Sequence, residues 1–360
     1  MPDPMLLLRL GRLTFLRPRE RIVIAYHLRS DEQFRRLSLR DLSQLVKRPL
    51  SGARQAEEAT AFDLVRDREA LEADDFSLVS FFDEAYPPRL RHIFDPPLML
   101  YCRGNRDLLH HLDTVSVVGT RVATMDGLEA ARRLAEGVAA SGYPVVSGLA
   151  RGIDGAAHRG ALRYPGGRTV AVLGSAVDRV YPSRNQPLGR EILACGGLLV
   201  SEYAPGTPAR KFHFPQRNRI IAGVSELLWV IQAPAGSGAL ITADHAIDQN
   251  REVVCHSVGT TPGSRNLGTR KLAEEGAKVW SDWESFLRNG EWPPMPPEEA
   301  TVEELLREWG YLPGENETKE TRSGGKRRGR RSRVARKSKE MFDGQQLLSL
   351  FTGDEEELEA

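Results

Sequence analysis

The amino-acid sequence predicts an α/β protein built on a doubly wound, mostly parallel β-sheet. From Thr114 onward, short runs of Val, Ile and Leu alternate with segments long enough to form helices. The runs lack the apolar and polar alternation of a half-exposed strand, which is typical of strands that helical crossovers bury on both faces. We therefore expect an extended Rossmann-like sheet over about 110–290, within a domain that spans 76–290.

The predicted strands and helices follow one another in the order that such a sheet requires. The apolar runs expected as strands are Val115–Val118, Pro144–Ser147, Thr169–Leu173, Leu198–Ser201, Leu227–Ile231 and Val253–His256. The segments expected as crossover helices are 126–141, 154–163, 186–194, 217–224, 240–250 and 268–276. Ahead of them, a proline-rich connector is expected to end in a short strand, Leu98–Cys102.

The two ends of the chain differ from this pattern. Residues 1–75 show helical signals, among them Ser38 as the cap of a helix whose apolar positions recur near the 3.6-residue period, and they are expected to form a small helical domain. Residues 291–318 combine prolines with acids, which indicates a stiff linker followed by a short helix. Residues 319–360 are expected to be a small, partly disordered segment.

The overall composition excludes several classes of protein. The 360 residues include three cysteines, Cys102, Cys195 and Cys255, whose spacing fits neither a disulfide framework nor a zinc site. No apolar run approaches the roughly 18 residues of a membrane span. We therefore expect a cytoplasmic protein with no membrane span, no metal site and no structural disulfide.

The net charge of +1, from 50 basic and 49 acidic residues, hides an uneven distribution. Residues 319–339 hold 11 Lys or Arg and one acid, whereas residues 340–360 hold 7 acids and no base. Such a basic run is either a solvated tail or an arm that binds phosphates, and both interpretations stay open. The near-zero total therefore does not exclude a nucleic-acid partner.

Glycine-containing loops follow the first two predicted strands. After the first, Gly119 permits a tight turn whose amides can face an anion, and Arg121 adds a planar cation suited to phosphate. After the second, Gly148 allows a ligand to approach closely, and Asp154 is expected to cap the next helix. No GxGxxG motif follows the first strand and the second ends in Ser147 rather than an acid, so no dinucleotide cofactor is expected.

The densest basic and aromatic segment is RKFHFPQRNR at 210–219. Its bases can neutralise phosphates and its phenylalanines can stack on nucleobases, and these are the two components of a single-strand binder. Lys211 and Phe214 are favoured as binding residues. Phe212 is explained equally well as a core residue.

A third loop places Ser237 and Gly238 at the start of a helix that holds Thr242. Amides and a hydroxyl at a helix start can bind another phosphate. Asp244 and His245 are adjacent on that helix and point in different directions, so they are interpreted as helix surface rather than as an acid/base pair. No catalytic residue is expected.

Several motifs occur in the order and approximate spacing of the DNA-processing protein A family, also called DprA or Smf. They are SVVGTR, SGLARGIDGAAHRGAL, AVLG with VYPSRN, SEYAPGTP, FPQRNRIIAG and SGALITADHA, and the similarity spans about 80–280. The chain resembles that family, which implies a non-enzymatic, Rossmann-like binder of single-stranded DNA. The resemblance also implies that the protein protects incoming strands in natural transformation, loads the RecA recombinase on them, displaces single-strand-binding protein and forms a homodimer.

The resemblance and the loops described above together predict a DNA-binding site. Its residues are Gly119, Thr120, Arg121, Ser147, Gly148, Lys211, Phe214, Arg217, Asn218, Arg219, Ser237, Gly238 and Thr242. The N-terminal segment resembles the sterile-alpha-motif-like (SAM-like) domain of some family members in length and helicity. Residues 295–360 have room only for a reduced winged helix, with one helix at 301–309 and another near 341–351.

Two other functions stay open. A nucleoside-monophosphate hydrolase of the lysine-decarboxylase-like Rossmann group uses a PGGxGTxxE motif at the turn after the fifth strand, and the position of its Glu is His245 here. Without that carboxylate the expected acid/base group is missing. A charged tail by itself would suit an interaction scaffold.

Overall fold

A nine-stranded sheet organises the first part of the chain. The computed structural model describes residues 1–50, 53–73, 76–110, 114–292 and 300–313, and of residues 53–62 it describes the backbone. The strands within them are β1 (Ser77–Ser80), β2 (Met99–Gly104), β3 (Val115–Val118), β4 (Val145–Ser147), β5 (Thr169–Val172), β6 (Leu198–Ser201), β7 (Leu227–Val230), β8 (Glu252–His256) and β9 (Lys278–Trp280). The predicted linker prolines, the basic run, the acidic end and the helix near 341–351 lie outside the described residues.

The described helices precede the sheet and connect its strands. The N-terminal helices are α1 (Pro4–Arg12), α2 (Pro18–His27), α3 (Asp31–Arg36), α4 (Leu39–Leu45) and α5 (Ala53–Glu72). The later helices are α6 (Pro88–Arg91), α7 (Met125–Ala140), α8 (Ile153–Arg163), α9 (Gln186–Ala194), α10 (His213–Gly223), α11 (Gly238–Asp248), α12 (Leu267–Glu274), α13 (Trp283–Asn289) and α14 (Val302–Glu308). None of the helices in this described part is both long and apolar enough to cross a membrane.

The strand order creates a topological switch point between β3 and β7. The order is β1-β2-β6-β5-β4-β3-β7-β8-β9, in which the strands from β6 to β9 are parallel and β1 and β2 add antiparallel at one edge. From β3 the chain first moves towards β6 and then crosses to β7 on the other side of β3. The carboxyl ends of β3 and β7 therefore meet at the topological switch point, where ligands bind in doubly wound sheets.

The predicted fold class is confirmed, and each predicted strand and crossover helix has its counterpart. The largest difference is α10, which begins at His213 rather than at 217. Pro215 lies in its first turn, where a backbone N–H has no partner within the helix, so a proline is tolerated there. The sequence did not predict β1 or β9. Each is too short to show a period, and the side chains of β9 are largely exposed.

Helices cover both faces of the sheet, which explains the apolar runs. The side chains of Val117, Trp229 and Val254 are 0% exposed and pack in one cluster with residues of α7, α8 and α13. On the other face, the hydroxyl of Ser116 donates to the carbonyl of Ile221 in α10 at 2.9 Å. A strand buried on two faces has no place for the polar half of an alternating pattern.

The N-terminal helices belong to the same compact unit as the sheet, Met1–Glu299. Their predicted helical character is confirmed, and Ser38 caps α4 through a reciprocal capping box with Asp41. The side chains of Leu6, Leu8 and Leu10 in α1 are 0% exposed. The second unit, 300–360, is described over 300–313, where Thr301 caps α14 close to the predicted helix at 301–309.

Candidate nucleic-acid interface

A cleft of about 380 Å³ opens at the switch point. It lies between the loop after β3, the first turn of α8, helix α10 and the first turn of α11. Its lining includes Val118, Gly119, Thr120, Arg121, Ala150, Asp154, Phe214, Pro215, Arg217, Asn218, Ile221, Pro234, Ser237, Gly238, Ala239 and Thr242. The structure thus brings together most of the residues that the sequence predicted from four separate segments.

The loop after β3 presents the cationic side chain of Arg121 to solvent. A side chain at Gly119 would place its Cβ 2.6 Å from Ile153 and 2.9 Å from the carbonyl of Gln232, so only glycine fits. The amide of Thr120 donates to that same carbonyl at 2.7 Å, and its side chain is buried. Arg121 is exposed, with its guanidinium carbon 5.8 Å from the ring centroid of Phe214. These contacts hold the backbone of the turn, and Arg121 is its exposed cation.

Helix α10 contributes the aromatic part of the cleft. Phe214 is half-buried, and its ring lies over the bare Cα of Gly174, where a Cβ would come within 2.6 Å of the ring. Phe212 is 53% exposed and is therefore not a core residue. Lys211 is exposed just before the helix begins. A ring held on one side and open to the cleft on the other can stack on a base.

Arg217 places a positive charge beneath the cleft rather than at its surface. Its side chain is 4% exposed and donates to the carbonyl of Gly148 at 2.9 Å and to that of Val172. Burial lowers its pKa to about 10, and the attraction of Asp154 opposes this shift. The guanidinium therefore stays protonated at neutral pH and fixes the Gly148 turn while it adds positive potential below the cleft.

Asp154 is a residue of the cleft for which the sequence predicted a different role. The predicted cap of α8 is corrected, since Gly152 occupies the cap position at φ +76° and Asp154 lies within the first turn. Its carboxyl is buried. Burial raises its pKa, against the opposing effects of Arg217 and of hydrogen bonds from the backbone of Ala150 and Gly148.

The first turn of α11 forms the opposite wall. Ser237 caps the helix by accepting from the amide of Ala239 at 3.3 Å. Gly238 faces open space, since nothing lies within 4 Å of where a Cβ would stand. Its carbonyl accepts from the side-chain amide of Asn218 at 3.1 Å and from the hydroxyl of Thr242 at 3.4 Å. This wall combines backbone amides at a helix start with a surface that no side chain covers, which suits an anion.

Four predicted contact residues lie outside the cleft lining, namely Ser147, Gly148, Lys211 and Arg219, and two of these have their side chains engaged within the protein. Ser147 is 0% exposed, and its hydroxyl donates to the carbonyl of Val117 at 2.6 Å. Arg219 forms a two-pronged ion pair with Glu202, both distances being 2.7 Å, and also donates to the carbonyl of Asp95 at 2.9 Å. The polar atoms of these two side chains are therefore already engaged within the protein.

Exposed bases lie in the loops at the carboxyl ends of the strands, the end of the sheet at which the cleft opens. They lie in the loops that follow β3, β4, β5, β6 and β8, and they are Arg121, Arg151, Arg179, Arg184, Arg210, Lys211 and Arg265. Among the acids of the same region, Glu202 is paired with Arg219, whereas Asp126 and Asp244 are exposed. The basic excess predicted from 210–219 is therefore one part of a wider basic rim, which the linear sequence dispersed over almost 150 positions.

Side chains of the N-terminal helices hold the loop between β6 and α10, which leads to Lys211. Arg12 of α1 and Arg66 of α5 each donate to the carbonyl of Pro205 at 2.9 Å. Arg12 also pairs with Asp67 through two bonds of 2.5 and 2.6 Å, and the Asp67 side chain is 0% exposed. Nothing in the sequence indicated the contacts to Pro205, because they join positions more than 130 residues apart.

Buried amides that the sequence analysis missed hold the loops of the cleft. The side chain of Gln232 accepts from the amide of Thr124 at 3.0 Å and donates to Asn266 at 3.0 Å. Asn185 donates to the carbonyls of Leu149 and Ala150 at 2.9 and 3.0 Å. Among the residues that the structure describes, no group of His, Cys, Asp and Glu is placed to hold a metal ion.

Comparisons with known proteins point to one family. The family model of DNA recombination-mediator protein A matches residues 77–290. The DNA processing protein DprA of Streptococcus pneumoniae is 39% identical over 212 residues, which are 59% of this chain and 73% of that protein.

Two solved structures share the fold. The crystal structure of DNA processing protein A from Streptococcus pneumoniae has a TM-score of 0.66 at 32% identity and covers 81% of this chain and 99% of that one. DNA processing protein A from Helicobacter pylori, described for its single-stranded DNA binding mode, has a TM-score of 0.52 at 28% identity and covers 59% of this chain and 94% of that one. The chain therefore belongs to the DNA recombination-mediator protein A family, the DprA/Smf family.

Proposed function

We propose that the chain binds single-stranded DNA in the cleft at the switch point. The observation that carries the proposal is the position of the Phe214 ring, half-buried in the cleft and 5.8 Å from the Arg121 guanidinium. A ring can stack on a base, while a neighbouring cation and the amides at the start of α11 neutralise phosphates. The relative from Helicobacter pylori that binds single-stranded DNA supports the same assignment.

The proposed contact residues divide by chemistry. Arg121 and Lys211 supply exposed cations, and Phe214 supplies the stacking surface. Backbone groups and uncharged side chains form the walls, through Gly119, Thr120, Asn218, Ser237, Gly238 and Thr242. Gly148 lies behind the wall, where its carbonyl accepts from Arg217. Arg217 acts from below through its charge, whereas Ser147 and Arg219 hold the surrounding backbone.

The preference for single strands follows from the stacking contact. In a double helix each base already stacks on its neighbours and pairs across the helix, so a protein ring reaches a base only after unpairing it. A single strand offers its bases freely. The half-buried ring of Phe214 at the cleft therefore favours a single-stranded ligand over a duplex of equal charge.

The biological role that fits such a site is that of a recombination mediator rather than a catalyst. We place the protein in the cytoplasm, where it would receive incoming strands in natural transformation and strands under repair. A protein that coats a strand and hands it on needs two partners, the RecA recombinase and the single-strand-binding protein that it displaces. A homodimer would present two clefts to one strand and raise its avidity.

A titration across salt concentrations tests the proposal. We expect fluorescence anisotropy of labelled oligonucleotides to show tighter binding to a single strand than to a duplex of the same length, with both affinities falling as salt rises. Equal affinity for the two ligands at every salt concentration would remove the stacking argument.

A second candidate, a hydrolase of nucleoside monophosphates, is favoured by one observation. The buried carboxyl of Asp154 lines the cleft, and burial raises its pKa, as in many acid/base groups. The backbone hydrogen bonds that it accepts and its role beside Arg217 fit a structural carboxylate equally well. Release of free base from nucleoside monophosphates, abolished in Asp154→Asn, would establish this activity.

A further inference from the structure

A second aromatic ring lies next to Phe214 and outside the cleft. Tyr181, in the loop between β5 and α9, has its ring centroid 5.3 Å from that of Phe214, with 47° between the ring planes. Phe214 is part of the cleft lining, whereas Tyr181 is not. The Tyr181 side chain is 54% exposed. The two rings therefore form an aromatic surface that continues from the cleft onto the outside of the protein.

The loop that carries Tyr181 is anchored on both sides of this residue. Val180 packs against an apolar cluster that contains Leu149. On the other side, Asn185 is 4% exposed and ties the loop to the carbonyls of Leu149 and Ala150. The exposure of Tyr181 is therefore a property of a fixed loop. A ring that is already held in place loses little conformational freedom when a ligand binds.

The charges of this loop favour a polyanion. Arg179 and Arg184, on either side of Tyr181, are exposed. The acid of the loop, Asp178, accepts from the amide of Gly206 at 3.0 Å and lies 3.9 Å from Arg179. An exposed ring between two cations matches the base and phosphate alternation of a nucleic-acid strand.

We propose that Tyr181 is a second stacking platform, on which a base of the single strand rests after the strand leaves the cleft. The proposal builds on single-strand binding at Phe214. A base between the two rings would need their centroids about 7 Å apart, since each contact takes about 3.5 Å. At 5.3 Å the rings exclude it. The base therefore stacks on the free face of Tyr181, and the bound strand extends along the β5–α9 loop.

The test compares ligands with and without bases. The full-length protein is titrated by fluorescence anisotropy with an oligothymidine of about 16 nucleotides, one of about 4 nucleotides, and an abasic strand of the longer length. The variants are Tyr181→Leu, Tyr181→Phe and, as a matched control, Tyr164→Leu. Tyr164 is 41% exposed and ends α8, at the opposite edge of the sheet.

Tyr181→Leu is expected to weaken binding of the long oligothymidine by roughly 5- to 150-fold, the range for loss of one stacked base. The slope of affinity against salt is expected to stay unchanged, because a neutral ring releases no counterions. Tyr181→Leu is expected to bind the abasic strand and the short oligothymidine as tightly as the wild type does. Tyr164→Leu is expected to bind all three ligands as tightly as the wild type does. Tyr181→Phe keeps the ring and is expected to bind within about twofold of wild type.

Unchanged binding of the long oligothymidine by Tyr181→Leu would overturn the proposal while leaving the cleft as the binding site. An equal loss on the abasic strand would also overturn it, because the loss would then not arise from stacking. Loss of association with a partner protein, at unchanged affinity for DNA, would reassign Tyr181 to a protein interface. If wild-type protein bound no single strand at all, the proposed function itself would fail.

Discussion

Lys211→Ala tests whether an exposed cation beside the cleft contacts a phosphate, separately from stacking on Phe214. Lys211 is exposed beside α10 and carries one positive charge, so it can neutralise one phosphate. At an exposed position a pair of charges about 4 Å apart is worth about 1 kcal/mol in water, which is about fivefold in affinity at low salt. The variant is expected to bind more weakly by about this factor.

The salt dependence of the DNA affinity is expected to distinguish Lys211→Ala from the wild type more clearly than the affinity at one salt concentration. For single strands the logarithm of the affinity falls with the logarithm of salt concentration by about 0.7 for each phosphate neutralised. From about 50 to 200 mM salt, the wild type is therefore expected to lose about 2.6-fold more affinity than Lys211→Ala. The difference between the two proteins should shrink as salt rises, since the contact that distinguishes them is screened.

The assay is an anisotropy titration at several salt concentrations with a matched control, Lys278→Ala. Lys278 begins the parallel strand β9 and so lies at the edge of the sheet opposite the cleft, within 3.5 Å of Glu252 and Glu291. Its removal changes the net charge by the same amount and is expected to leave the slope unchanged. Parallel slopes for wild type and Lys211→Ala would refute a phosphate contact at Lys211. An equal change in the control would show that only the total charge matters.

Three further predictions concern the scaffold. Arg12→Leu removes the two short hydrogen bonds to the 0% exposed Asp67 carboxylate and leaves it the longer ion pair with Arg66, at 3.8 Å. It is expected to lower the free energy of unfolding by about 3 kcal/mol, whereas Arg36→Leu, which removes the exposed Arg36–Glu32 pair, is expected to change it by less than about 1 kcal/mol; urea unfolding checks both. Gly152→Ala adds a Cβ 2.3 Å from the Thr120 carbonyl at φ +76°, whereas Gly166→Ala meets nothing within 4 Å at φ +80°. Backbone strain should lower the free energy of unfolding of both variants by about 1–2 kcal/mol. The steric clash should lower that of Gly152→Ala further and weaken its DNA binding. Equal losses of stability in the two variants would refute the steric argument. Burial lowers the pKa of His158 from 6.5 to about 3. Between these two pH values the unfolded state therefore binds one more proton than the folded state. The contribution of His158 to the free energy of unfolding is complete above pH 6.5 and is lost as the pH falls towards 3. His158→Leu is expected to reduce the slope of the unfolding free energy between pH 4 and 6 by up to about 1.4 kcal/mol per pH unit; an unchanged slope would contradict the assignment.

The structure gives the physical reason for the neutral His158. The hydroxyl of Thr169 donates to the carbonyl of Val145 at 2.6 Å, so its oxygen accepts from Nδ1 of His158 at 2.8 Å. The other ring nitrogen is buried and has no hydrogen-bond partner in the described part of the chain. A proton there would carry charge into the core without an acceptor, which is costly.

The sequence predicted the sheet well because burial on two faces demands an unbroken apolar run, and such a run is visible without knowing its neighbours. The same reasoning could not tell which polar side chains are exposed to the cleft and which are engaged within the protein. Arg121, Arg217 and Arg219 all follow as phosphate ligands from residue type, yet only Arg121 presents an exposed guanidinium to the cleft. Arg219 is engaged by Glu202 and Asp95, and the position of that partner carbonyl, 124 residues away, depends on how the chain folds.

The amino-acid sequence by itself determined the order of strands and helices, the glycine turns at the strand ends and the residue types that suit a single strand. These properties are local, since periodicity, backbone freedom and side-chain chemistry belong to each segment. The tertiary structure decided which of those side chains are free to bind. It placed β3 beside β7, joined the dispersed bases into one rim and set Tyr181 against Phe214, because hydrogen-bond partners and ring contacts are properties of the packed chain rather than of any segment within it.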